Sequence, residues 1–234
     1  MRNPIIAALD LPDAVSALAM ARAVAPHVGA FKVGKELFVA AGPGIIRELR
    51  ATGAAVFLDL KFHDIPNTVA RAIAAATRLD VQMLTVHCSG GRAMMAAAEE
   101  AAQQTARAMG RPAPLILGVT VLTSLDAAAL ADLGLEPDPA VQVRRLAQLA
   151  VAAGLRGLVC SPLELPMLRT CVPPDLQLVT PGIRSASDPA DDQSRTLSAP
   201  DALAAGARWL VVGRPILAAP DPAAAARRLL ASLG

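Results

Sequence analysis

Eight short, almost unbroken apolar runs recur along the chain, separated by longer stretches rich in alanine. They are PIIAALD (4 to 10), AFKVG (30 to 34), AVFLDLK (55 to 61), VQMLTVH (81 to 87), PLILGVT (114 to 120), GLVCS (157 to 161), QLVTPG (177 to 182) and WLVVG (209 to 213). A strand with one wet face alternates apolar and polar residues, so continuous runs predict parallel strands covered on both faces. The intervening stretches predict helices at roughly 13 to 25, 43 to 52, 66 to 79, 91 to 108, 139 to 153, 162 to 170, 199 to 206 and 221 to 233. Eight β/α units in 234 residues predict a TIM (β/α)8 barrel forming one domain over residues 1 to 234. A doubly wound open sheet is the alternative, but no G-x-G-x-x-G follows the first run.

A TIM barrel carries its chemistry at the C-terminal ends of its strands. The polar residues of this chain gather there. Run one ends at Asp10, run two carries Lys32, run three ends at Asp59 and Lys61, and run four ends at His87. Run five leads to Thr120 and Thr123, run seven to Pro181, Gly182 and Arg184, and run eight to Gly213 and Arg214.

The densest cluster is FLDLKFHDIPNT, residues 57 to 68. Strand alternation puts Phe57, Asp59 and Lys61 on one face and Val56, Leu58 and Leu60 on the other, with Asp64 in the loop beyond. Charges facing a core are costly unless paired, and two carboxylates beside one lysine hold its ammonium in place. A purely structural ion pair closing the strand would use the same residues. At the last two strands, TPGIR with Gln193 in the polar stretch 183 to 200, followed by VGRP, offers backbone N–H groups together with Arg184 and Arg214. TIM barrels often bind phosphate at that position, so the pattern favours a phosphomonoester.

Other polar residues read as support. His87 has no metal-ligand spacing around it, His63 reads as loop scaffolding and His27 as solvated; Met94 and Met95 read as helix packing, and Ser89, Gly90 and Gly91 as a helix cap.

Composition narrows the function classes. Twenty-two basic and 20 acidic residues give a net charge of +2 without charged blocks, so neither nucleic acid nor an anionic membrane is an expected partner. With no Tyr, one Trp and four Phe, there is little to stack exposed bases. Cys88, Cys160 and Cys171 form no C-x-x-C pair, which argues against a disulfide framework or a zinc site. No run approaches the ~20 apolar residues of a membrane span, and the N-terminus lacks a signal-like core, so a cytoplasmic protein is expected.

These residues resemble the bacterial type of orotidine 5′-phosphate decarboxylase over essentially the whole chain. The matching pieces are AALD, FKVG, DLKFHDIPNT, TVHCSGG, VTVLTS, TPGIR with Gln193, and VGRPI. The resemblance implies loss of CO₂ from orotidine 5′-monophosphate to give UMP, the last step of de novo pyrimidine nucleotide synthesis, without metal or organic cofactor. It implies Lys61 as proton donor to C6, within an array of Asp59, Lys32 and Asp64. Asp64 and Thr68 would come from the partner subunit of a homodimer. Asp10 and Lys32 would meet the ribose hydroxyls, Thr123 the pyrimidine edge, and Gln193 and Arg214 the phosphate, with Arg184 in the phosphate loop and Pro181 lining the pocket. Closure of the 183 to 193 loop over the phosphate is also expected.

Two other readings use the same fold. Sugar-phosphate decarboxylases and aldolases of the same suprafamily share Asp-x-Lys-x-x-Asp but work through Mg²⁺, and would carry a metal-binding Glu at the end of strand two. Here Lys32 lies on that strand and Glu36 beyond it. A non-catalytic phosphonucleotide-binding barrel should have lost Lys61 or one of its aspartates, and all are present.

Overall fold

A computed structural model describes residues 3 to 184 and 196 to 234. The eight runs form strands β1 (Ile5–Ala8), β2 (Ala30–Val33), β3 (Ala55–Phe62), β4 (Met83–His87), β5 (Leu115–Val119), β6 (Gly157–Val159), β7 (Gln177–Thr180) and β8 (Trp209–Val212). They close into a barrel in sequence order, every neighbouring pair parallel, with β8 returning to β1. Closure leaves no sheet edge, and parallel neighbours require the helical crossovers found between them.

Two apolar layers follow from strand alternation. Ile6, Ala8, Phe57, Met83, Leu117 and Trp209 fill the barrel interior, while Ile5, Val56, Leu58, Leu84 and Leu210 pack outward against the helices. The helices are α1 (Ala14–Val24), α2 (Lys35–Ala41), α3 (Gly44–Arg50), α4 (Pro66–Thr77), α5 (Gly91–Ala108), α6 (Ala127–Asp132), α7 (Pro139–Ala152), α8 (Leu165–Arg169), α9 (Ala199–Ala204), α10 (Arg214–Leu217) and α11 (Pro222–Ala231). Several begin in the same way: Asp13, Asp126, Asp138, Ser198 and Asp221 each accept a backbone N–H of the first turn, and proline follows within two positions in α7, α9 and α11. Each such cap stabilises its helix by about 1 kcal/mol.

Three helices, α2, α6 and α10, do not stand out in the apolar pattern. They have four to seven residues and bury one residue each, Leu37, Leu130 and Ile216, which is too little for a helical period to be visible. Gly42, at φ 68°, separates α2 from α3, a break that favours glycine. Six of the strands stop one or two residues before the end of their apolar runs, whereas β4 ends with its run at His87 and β3 extends one residue past its run to Phe62. Thus β1 stops at Ala8 and Asp10 lies in the loop beyond.

Candidate active site

At the C-terminal ends of the strands, four charged side chains form a line across β1, β2 and β3. The Lys32 ammonium donates to Oδ1 of Asp10 at 2.8 Å and lies 3.9 Å from Oδ2 of Asp59. That same Asp59 oxygen accepts from Lys61 Nζ at 2.7 Å. The order is therefore carboxylate, ammonium, carboxylate, ammonium. The Asp59 and Lys32 side chains are only 10% and 12% exposed, so each charge has given up most of its water and needs the partner it has. Asp10 is open to solvent, and Lys61 lies between these extremes at 26%. Gly34 leaves room for the first pair, since a Cβ there would come within 3.3 Å of both Asp10 Oδ1 and Lys32 Nζ.

Lys61 reaches Asp59 through a break in regular strand geometry. Its φ is 53°, in the left-handed region, and the β3–β4 register shifts between Leu58 and Phe62. A lysine there costs roughly 1 kcal/mol or more of backbone strain and needs support from its surroundings. Thr85 on β4 supplies it. Its hydroxyl accepts the Lys61 backbone N–H at 2.9 Å and donates to Asp59 Oδ1, also at 2.9 Å. Thr85 is fully buried, so one hydroxyl fixes both the strained peptide and the carboxylate that holds the ammonium.

The array opens into a cavity of about 640 Å³. Asp10, Lys32, Asp59, Lys61, Thr123, Pro181, Arg184, Gly213 and Arg214 all line it, so one space collects residues spread from the first strand to the last. Phe57, Val119, Val159 and Val211 make an apolar floor, and Val121 and Ser161 add to the wall. Gly182 takes φ 77° where the chain turns out of β7 between Pro181 and Ile183.

Two expected residues lie elsewhere. Asp64 and Thr68 are exposed and do not line the cavity, and among the described residues no salt bridge involves Asp64. The expectation of two carboxylates beside Lys61 is therefore met within one chain by Asp59 alone. The physical reason is local: Asp64 lies beyond β3 in the exposed segment leading to α4, where its Oδ1 accepts the N–H of Ile65 at 2.6 Å. Gln193, and with it most of the 183 to 193 loop, lies outside the described residues.

Thr85, Val121 and Ser161 did not stand out in the sequence. For Thr85 the available signal was one hydroxyl within an apolar run, two positions after an inward-facing Met83, hence on the interior side. Ser161 had none, because it also caps the turn after β6 in a reciprocal pair with Glu164.

Behind the array, His87 ends β4 and its ring lies 5.6 Å from that of His63. Burial lowers the His87 pKa, and the charges of His63, Lys61 and Lys35 lower it further against the opposing pull of Asp59. It is a neutral imidazole at neutral pH, in keeping with a supporting role. Burial pushes the thiols of Cys88 and Cys160 up to about 12, which leaves them unreactive. Among the described residues no group of three His, Cys, Asp or Glu side chains is placed to hold a metal ion, and no helix is long and apolar enough to cross a membrane.

Fold and site together define a (β/α)8-barrel enzyme with an alternating lysine–aspartate array at its strand ends. Residues 3–229 match the model of the Orotidine 5'-phosphate decarboxylase / HUMPS family. The chain belongs to that family, and with it to the carboxy-lyases. It is 52% identical over 233 residues to a protein of Pseudomonas aeruginosa (strain LESB58) named orotidine 5'-phosphate decarboxylase, covering 100% of this chain and 98% of that one. A Moorella thermoacetica protein of the same name is 49% identical over 233 residues, covering 99% and 92%. The crystal structure of orotidine 5'-phosphate decarboxylase from Lactobacillus acidophilus superposes with a TM-score of 0.88 at 36% identity, over 99% of each chain.

Proposed function

We propose that this enzyme decarboxylates orotidine 5′-monophosphate to UMP and CO₂, the last step of de novo pyrimidine nucleotide synthesis, and does so in the cytoplasm without a metal or organic cofactor. The observation that carries the reading is Lys61 Nζ held at 2.7 Å from Asp59 at the edge of a cavity that Arg184 and Arg214 also line.

Breaking the bond between C6 and the carboxylate leaves its electron pair on C6, in an orbital lying in the ring plane. The π system of the pyrimidine cannot delocalise that pair. Stabilisation must come from a fixed positive charge that is in place before the bond breaks. The Lys61 ammonium provides it and then gives its proton to C6, recovering one from solvent afterwards. Asp59, itself steadied by Lys32 and Thr85, holds the ammonium in position, so little reorganisation is needed as charge develops.

The rest of the substrate binds away from C6. Asp10 and Lys32 take the ribose hydroxyls, Thr123 takes the pyrimidine edge, and Pro181 and Gly213 line the walls. Arg184, Arg214 and Gln193 take the phosphate, and this remote binding energy is expressed in the transition state. Asp64 and Thr68 complete the neighbouring site in a homodimer, for which their exposure leaves them available.

The test is a spectrophotometric assay of orotidine 5′-monophosphate with chelator-treated enzyme. Turnover that EDTA leaves unchanged is expected. Failure of the folded protein to consume the substrate would overturn the reading. Activity lost on chelation and restored by Mg²⁺ would point to the metal-dependent branch of the suprafamily.

A further inference from the structure

At the opposite end of the barrel, the turns feeding β3, β4 and β5 enclose a second concavity of about 490 Å³. Its charged lining is Arg47, Arg50, Arg78, Arg111 and Asp80. Four guanidinium groups face one carboxylate, a local charge of +3 on a chain whose total is +2. Arg47 and Arg50 lie in the last turn of α3, Arg78 is the C-cap of α4 and Arg111 follows the end of α5, so helix C-terminal ends favour each of these cations taken singly. They do not account for four arginines converging on one depression.

Two of the four are anchored. Arg50 Nε lies 3.2 Å from Asp80 Oδ2, and Arg50 Nη1 donates to the Ala54 carbonyl at 2.9 Å. Arg111 Nη1 lies 3.6 Å from Asp80 Oδ1. Asp80, at φ 63°, has its own carbonyl fixed by Gln82 Nε2 at 2.9 Å, so the centre of the site is built in advance. Arg47 and Arg78 are exposed, and among the described residues neither has a carboxylate within salt-bridge distance. Arg50, and the more exposed Arg111, are held against Asp80 beside two open arginines, an arrangement suited to an anion with oxygens to offer to more than one guanidinium fork.

We infer that this concavity binds the diphosphate group of a small metabolite. One phosphate monoester brings roughly 1.5 to 2 negative charges and would leave the site positive, whereas two linked phosphoryl groups neutralise it. The remaining lining, Pro43, Gly44 and Leu79, offers no aromatic face, so the phosphate chain is read and an attached base is not.

The test uses the full-length protein with inorganic pyrophosphate, ADP and inorganic phosphate as probes. At about ten times its Kd, pyrophosphate raises the melting temperature by roughly 3 to 6 °C. The rise persists in Arg214→Ala, which separates this site from the cavity at the other end of the barrel. It is lost in Arg47→Gln/Arg78→Gln, each single change weakening binding by about tenfold. Neither arginine supports the fold through an ion pair, so the double variant keeps its ligand-free melting temperature and its turnover. ADP binds within a few-fold of pyrophosphate, and phosphate binds more weakly than either. The inference is overturned if wild type shows no pyrophosphate effect at millimolar concentration, if the effect survives in the double variant, or if ADP binds more than about tenfold tighter than pyrophosphate.

Discussion

The hydroxyl of Thr85 donates to Oδ1 of Asp59 at 2.9 Å, across the seam where the β3–β4 register shifts. Because the Thr85 hydroxyl oxygen also accepts the backbone N–H of Lys61, a residue that never meets the cavity sets the geometry of two that do.

Thr85→Val keeps the shape and removes the hydroxyl, leaving a buried carboxylate oxygen without its partner at a cost of about 1 to 3 kcal/mol, and a part-buried N–H at a smaller one. Turnover should fall by roughly 10- to 100-fold with KM changed far less, because the ammonium is displaced while the rest of the binding surface remains. Thr85→Ser should restore most of the rate. Steady-state kinetics on the three proteins decides it, and a serine variant as slow as the valine one would refute positioning through the hydroxyl.

Lys61→Ala removes both the fixed charge and the proposed proton donor. A loss of roughly 10⁴-fold or more in turnover is expected, with the fold retained, since Lys61 is partly exposed. Circular dichroism alongside the assay checks both halves. A folded variant within about tenfold of wild type would contradict the role.

Arg214→Ala should weaken kcat/KM for orotidine 5′-monophosphate by roughly 10- to 100-fold, as expected for loss of a charge-assisted grip on phosphate. Phosphate-free orotidine gives that side chain nothing to hold, and its slow turnover should be nearly unchanged. Equal losses on both substrates would mean that Arg214 supports the barrel or the chemistry instead.

Asp64 is exposed and forms no salt bridge among the described residues, so a shared site makes a sharp demand. Lys61→Ala and Asp64→Ala, each inactive, are unfolded, mixed and refolded together. Half the dimers are then mixed and each has one intact site, giving about a quarter of wild-type activity. Mixed dimers seen by native mass spectrometry without activity would place Asp64 in its own chain's site.

The lowered pKa of His87 couples folding to pH. Its ordinary value is 6.5 and the folded value is below it, so between the two the unfolded chain binds more protons. Stability is therefore lost as pH falls below about 6.5 toward the folded value, and rises again with pH through that window. His87→Gln removes this group's share while leaving His63, Lys61, Lys35 and Asp59 around it. Denaturant titrations between pH 5 and pH 7.5 should show a shallower slope for the variant, and identical slopes would show that other groups carry the dependence.

Much of this was legible in the sequence for a physical reason. A parallel strand buried on both faces must be apolar throughout, so the eight runs marked the barrel, and charges at their ends had no role in its packing. Asp59 and Lys61, two apart at the end of one strand, could be placed on the same face from the alternation alone. Lys32 and Asp10 could be assigned to the same end of the barrel, but that Lys32 sits between Asp10 and Asp59 depends on β1, β2 and β3 being neighbours in register, which only the closed sheet decides. The left-handed turn at Lys61 and its support from Thr85 arise from a register shift between strands 24 residues apart, and no local pattern encodes it. The same holds for the arginines at the far end. Arg47, Arg78 and Arg111 are scattered charges in the sequence, and line one concavity only because three successive helices return to the same end of the barrel.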